Sequence, residues 1–170
     1  MVEKINSIRI LLLIAGFVMM NGCRSKDQVV NWGDTETPFF ISMERTACFG
    51  ECPEYIFSIN HKGTFVYEGF RNVMHIGPGS AEVSKDDLEQ LRARLSQINW
   101  SAHQDEYECN VADLPSVILI VKSKRYKKRI KINCEWPAEL ETFFNWFDTL
   151  NKKYMPDAVE APDAPEGQGE

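Results

Sequence analysis

The 170-residue chain lacks any apolar run long enough to cross a bilayer: its longest, Ile10 to Met20, has 11 residues, where a spanning helix takes about 20. It has no surplus of positive charge either. With 19 Lys plus Arg against 25 Asp plus Glu and a net charge of -6, nucleic-acid binding driven by bulk charge is excluded. Histidine is scarce, and His61, His75 and His103 form no metal-ligand pattern among themselves or with the cysteines. Catalytic constellations are missing as well. Asp113 and Glu108 have no His or second carboxylate at a telling spacing, and Gly77-Pro78-Gly79-Ser80 has neither the pattern nor the strand-and-helix context of a phosphate loop or nucleophile elbow. Both are read as loop residues, and the chain as a protein without catalysis, metal or cofactor. What is present, 44% hydrophobic, 26% charged and 11% aromatic residues, is the composition of about one globular domain.

The N-terminus carries Lys4 and Arg9 against Glu3, followed by the short apolar run and then polar residues. That is the order of a secretory signal. The run ends in Met20-Asn21-Gly22-Cys23, which resembles a bacterial lipobox, where a small residue precedes a cysteine that is lipidated and becomes the new N-terminus. Cys23 is thus the candidate lipidation site, and lipidation accounts for the odd fifth cysteine in an oxidising compartment. A protein held by more than one acyl chain stays on a membrane. Arg24, where an Asp would suggest inner-membrane retention, favours the outer membrane of a bacterial cell envelope.

Without residues 1–22 the chain holds 17 basic and 24 acidic residues, a net charge of -7. Residues 156–170 contain five acids, three prolines and no base, the composition of a disordered tail. Residues 23–37 read as a flexible tether, and residues 38–155 as one domain small enough to profit from disulfides.

Strand-like runs cover Phe39 to Arg45, Tyr55 to Asn60, Thr64 to Phe70 and, more weakly, Asn72 to Ile76. Asn60-His61-Lys62-Gly63 reads as a hairpin turn, with His61 a turn residue. Ser84 and Asp87 form a capping-box start for a helix whose Leu88, Leu91, Leu95 and Ile98 share one face. Strands at Ser116 to Lys122 and Tyr126 to Asn133 follow, and then a helix entered at Pro137 with the stripe Leu140, Phe143, Phe144, Phe147 and Leu150. Trp146 falls off that stripe and reads as a partly buried aromatic at the domain edge. Strands, helix, strands, helix predicts an α+β domain, an antiparallel sheet with both helices on one face.

Cys48-Phe49-Gly50-Glu51-Cys52-Pro53 is the most distinctive segment. Thiol-disulfide enzymes place their cysteines at a helix N-terminus that activates one thiolate, whereas Pro53-Glu54-Tyr55 leads into a strand. A redox protein using Cys48 and Cys52 is the alternative function. In an exported protein the plainer reading of Cys48, Cys52, Cys109 and Cys134 is two disulfides, with three pairings open.

Glu44-Arg45-Thr46-Ala47-Cys48-Phe49-Gly50-Glu51-Cys52-Pro53-Glu54-Tyr55, then Gly63-Thr64-Phe65-Val66-Tyr67-Glu68-Gly69 and Asp113-Leu114-Pro115-Ser116, make residues 38 to 150 resemble the domain-of-unknown-function family 6438 of bacterial exported lipoproteins. The resemblance implies one folded domain and brings no activity, cofactor or catalytic residue. Relatives share the first cysteine pair and often lack counterparts of Cys109 and Cys134, which implies that each pair closes on itself. Chain order agrees, since Cys48 and Cys52 close a short loop and Cys134 ends a strand whose hairpin partner begins near Cys109.

Lys122 to Lys131 holds seven cations in ten residues. With a period of two, Lys127, Arg129 and Lys131 share the face opposite Lys128, Ile130 and Ile132. They are a candidate surface for an anionic envelope component or a protein partner, with Phe49, Gly50 and Tyr55 as the second candidate. Protection of an edge strand by cations is the competing account. The sequence therefore predicts a lipid-anchored envelope binding or structural module, tied to the membrane through Cys23 and not to nucleic acid.

Overall fold

A computed structural model describes residues 30–155, residue 112 excepted. Residues 1–29, with Cys23 and the apolar run, and the acidic tail 156–170 lie outside the described residues. The elements in chain order are β1 (Phe40–Arg45), β2 (Glu54–Asn60), β3 (Thr64–Arg71), β4 (Gly77–Glu82), α1 (Lys85–Gln97), a 3-10 turn (Trp100–Ala102), β5 (Glu106–Tyr107), β6 (Val117–Ser123), β7 (Tyr126–Ile132) and α2 (Ala138–Tyr154). They form an α+β domain with one seven-stranded sheet in the order β4-β3-β2-β1-β6-β7-β5. Every pairing is antiparallel except β5 with β7.

Alternation in the sequence fixes which residues meet across the strands. Tyr67, Phe57, Met43, Leu119 and Ile130 form one row on the inner face, and all are buried. The next row runs Gly69, Tyr55, Arg45, Val117 and Ile132, so a cation stands where its row-mates face the core. Both helices cover this face. Leu91 and Leu95 of α1 and Leu140 and Phe147 of α2 are fully enclosed, and the Phe57 and Phe147 rings lie 4.6 Å apart.

The capping box forms as its residues require: the Asp87 backbone N–H donates to Ser84 Oγ at 3.3 Å. Asp87 also receives Lys153 Nζ at 2.6 Å and the Tyr154 hydroxyl, while the Ser84 N–H donates to that hydroxyl at 2.9 Å. Burial alone would raise the Asp87 carboxyl, but the hydrogen bonds from Lys153, Tyr154 and Ser84 outweigh it and hold the group below its ordinary range. The start of α1 is thereby tied to the end of α2. Trp146 is partly buried at the helix edge, with the Arg94 guanidinium 4.4 Å from its ring.

Four expectations are corrected. Asn72–Ile76 is a loop, because Asn72 takes a left-handed φ of 54°, and the fourth strand is Gly77–Glu82, so Gly77-Pro78-Gly79-Ser80 is strand rather than loop. Pro78 is tolerated there because β4 is an edge, where a missing donor removes no ladder bond. Gly69 opposite is obligatory, since a Cβ would lie 2.0 Å from the His75 carbonyl oxygen. Pro137 is the N-cap of α2, one position earlier than expected. Residues 30–37, read as the end of the tether, are packed against the domain. Trp32 is buried with its ring edge-on to Tyr126 at 5.7 Å, and the Arg92 guanidinium donates to the carbonyls of Asp34 at 2.9 Å and Thr37 at 3.1 Å.

Candidate binding cleft

The chain bridges Cys48 to Cys52 and Cys109 to Cys134, with Cα separations of 5.7 and 5.8 Å. The first bond staples the loop between β1 and β2, away from any helix start. The second ties the stretch after β5 to the end of β7, where the Cys109 N–H also donates to Asn133 Oδ1 at 3.0 Å. Between the two bonds, at the end of the sheet where β1 finishes, lies an open cleft of about 300 Å³.

Four distant segments build it. Arg45 comes from the end of β1 and Cys52-Pro53 from the stapled loop. Pro115, Ser116 and Val117 come from the start of β6. Asn133, Trp136, Glu141, Phe144 and Asn145 come from the end of β7 and the first turns of α2. Two hydrogen bonds pin the first and third segments: the Thr46 N–H donates to the Ser116 carbonyl at 2.9 Å, and the Ser116 N–H donates to Thr46 Oγ1 at 2.9 Å. The loop 72–76 braces the second, Asn72 Nδ2 donating to the Cys52 carbonyl at 3.1 Å.

Arg45 dominates the electrostatics. Its guanidinium lies 4.9 Å from the Phe144 ring centre, its Nε is buried without a hydrogen-bond partner, and it forms no ion pair among the described residues. Beside it stands Tyr55. Burial pushes the Tyr55 hydroxyl up, its hydrogen bond to and the charge of Asp148 push it further, and the charge of Arg45 and its hydrogen bond pull the other way. The Trp136 and Phe144 rings, 4.8 Å apart, form an apolar wall. Pro137 provides no side-chain cap for α2, so the first N–H groups of that helix have no side-chain acceptor beside the cleft.

The basic strand is partly neutralised. Lys127, Arg129 and Lys131 do share the outer face of β7, but Lys131 pairs with Glu108, Lys128 with Asp105 at 2.6 Å, and Lys122 lies over the Phe40 ring. Only Lys131 and Ile132 are covered by β5, so most of β7 is an exposed edge of the kind that lysine and arginine protect. The second candidate surface divides. Phe49 and Gly50 are exposed at the loop tip, whereas Tyr55 faces the core and offers no surface, because it shares the parity of Phe57 and Ile59.

The family model described as Domain of unknown function (DUF6438) matches residues 39–151. The chain belongs to this family. No curated protein matches it. The DUF6438 segment takes in all seven strands and most of α2, and two of the segments that carried the resemblance, Arg45 to Tyr55 and Asp113 to Ser116, meet at the cleft. Among the described residues of the DUF6438 chain no helix is long and apolar enough to cross a membrane. Reading by segments did not single out Arg45, although Ile41, Met43 and Arg45 have one parity. A cation in phase with core positions was the available signal.

Proposed function

We propose that this chain is a lipid-anchored, non-catalytic binding module of the bacterial cell envelope, held to the membrane through Cys23, and that its ligand enters the cleft around Arg45. The observation that carries the reading is the convergence of Arg45, Cys52-Pro53 and Pro115-Ser116 on one cleft, with Arg45 free of any ion pair among the described residues. Two disulfides and the two Thr46–Ser116 hydrogen bonds hold the walls, a rigid frame that lowers the ordering cost of binding. The exposed cations of β7 serve as edge protection in this reading.

Crosslinking and affinity purification of the intact lipoprotein tests it. Trp136→Ala should abolish capture of the envelope component that the parent retains, and charge reversal of Lys127, Arg129 and Lys131 should leave capture intact. Capture that survives the cleft change and vanishes with the charge reversal moves the site to β7 and overturns the assignment.

A further inference from the structure

We propose that the cleft binds a singly charged carboxylate on a flat or apolar body, held by the Arg45 guanidinium. This inference rests on the cleft being the ligand site and names the chemistry of what fills it.

Two arginines stack on aromatic rings on the helix-covered side of the sheet, Arg45 from β1 and Arg92 from α1. Arg92 is buried, stacks on Phe39 at 4.8 Å and donates to three carbonyls, those of Asp34, Thr37 and His61. Arg45 stacks on Phe144 at nearly the same distance and leaves Nε buried and unmatched. A buried donor without an acceptor is costly, and replacing it with an apolar side chain would remove that cost. Nε is enclosed, but Arg45 as a whole lines the cleft and has no ion-pair partner among the described residues, so its charge is kept for an anion that enters there. The fork of a guanidinium matches the two oxygens of a carboxylate, with parallel charge-assisted bonds.

The surroundings narrow the class. Positive partial charge from the first turn of α2, which has no side-chain cap, adds to that of Arg45 and favours an anion. Trp136, Phe144 and Val117 give the body of the ligand an apolar slot. Glu141 also lines the cleft, at its exposed side. Its negative charge opposes a second negative charge on the ligand, which disfavours phosphate and polyanions against a lone carboxylate. The volume admits a group of about the size of benzoate or a short branched acid, at the lower end of small-ligand sites.

Sodium benzoate and its neutral analogue benzamide are the probes, titrated into the full chain in non-ionic detergent while the Trp136 indole N–H is followed by NMR. Benzoate should shift that signal saturably, benzamide should bind about tenfold more weakly or worse, and Arg45→Met should lose about tenfold in benzoate affinity with the fold retained. Glu141→Gln should tighten benzoate about twofold to fivefold by removing a like charge. Arg45→Gln is the second variant should the Met substitution not fold, and the benzoate–benzamide comparison on the parent needs no variant at all. Equal binding of the two probes, or no response to either, overturns the carboxylate assignment. If Trp136→Ala still abolishes capture of the envelope component in that case, the cleft remains the site with another ligand class. Capture that survives Trp136→Ala removes the underlying reading instead.

Discussion

The two poles of the sheet are built to opposite rules. Where β1 begins, Arg92 meets three carbonyls, and Asp87 collects Ser84, Lys153 and Tyr154. Where β1 ends, Arg45 has a buried unmatched Nε and α2 starts without a side-chain cap. At the first pole Arg92 and Asp87 are matched, whereas at the second the Thr46–Ser116 pair is matched and Arg45 Nε is not. An aromatic partner is common to both arginines, the buried Arg92 and the half-buried Arg45, so stacking does not tell structure from site. Satisfaction of the donors does.

Substitutions can break this contrast. Arg92→Met strands three backbone acceptors and should cost roughly 4 kcal/mol in urea unfolding. Close behind comes removal of the Cys109–Cys134 bond, which spans 25 positions in sequence. The chain-entropy model gives it about 3.5 kcal/mol, against about 2 kcal/mol for the Cys48–Cys52 staple, so replacing each pair with alanine should give that order.

Asp87→Ala removes a capping-box member and the acceptor for Lys153 and Tyr154, and should cost about 2 kcal/mol at neutral pH. Because the folded-state carboxyl is held below its ordinary value, its contribution is complete above the unfolded value near pH 4. It fades as pH falls toward the folded value. The gap between parent and variant in melting temperature should therefore close below about pH 4; a constant gap would mean that the charge of Asp87 does nothing. Smallest of all, Arg45→Met should move stability by less than about 1 kcal/mol in either direction. If it destabilises as Arg92→Met does, the two poles are alike and Arg45 is a structural residue.

Period and punctuation carried the fold. The inner-face alternation of Tyr55, Phe57 and Ile59, the stripe Leu140, Phe143, Phe144, Phe147 and Leu150, and the Ser84–Asp87 cap all stand as their spacing predicts. β4 escaped because Gly77, Pro78 and Gly79 read as breakers, and only its place at an edge makes a strand of them. β5 is two residues long and exists through its pairing with β7, a contact that no local pattern records. Trp32, a lone aromatic in a polar stretch, was the one sign that residues 30–37 dock. The cleft is a different case, since its walls come from segments up to 100 positions apart, Arg45 to Asn145. Their meeting depends on strand order, which hydrophobic period does not encode.

The docking of residues 30–37 also sets a direction. Arg92 clamps this segment at the pole where β1 begins, so the first described residues lie on the side opposite Arg45. Under the proposed lipidation of Cys23, residues 24–29 would be all that separates the acylated cysteine from Val30, a leash of at most about 25 Å of chain. On that proposal the domain would stay beside the bilayer, with the cleft at the far pole, about one strand length of roughly 20 Å farther from the lipid than the clamp. The mouth would then sample the aqueous side of the envelope and not the headgroups, and lengthening the leash would let the molecule tumble without altering the cleft itself.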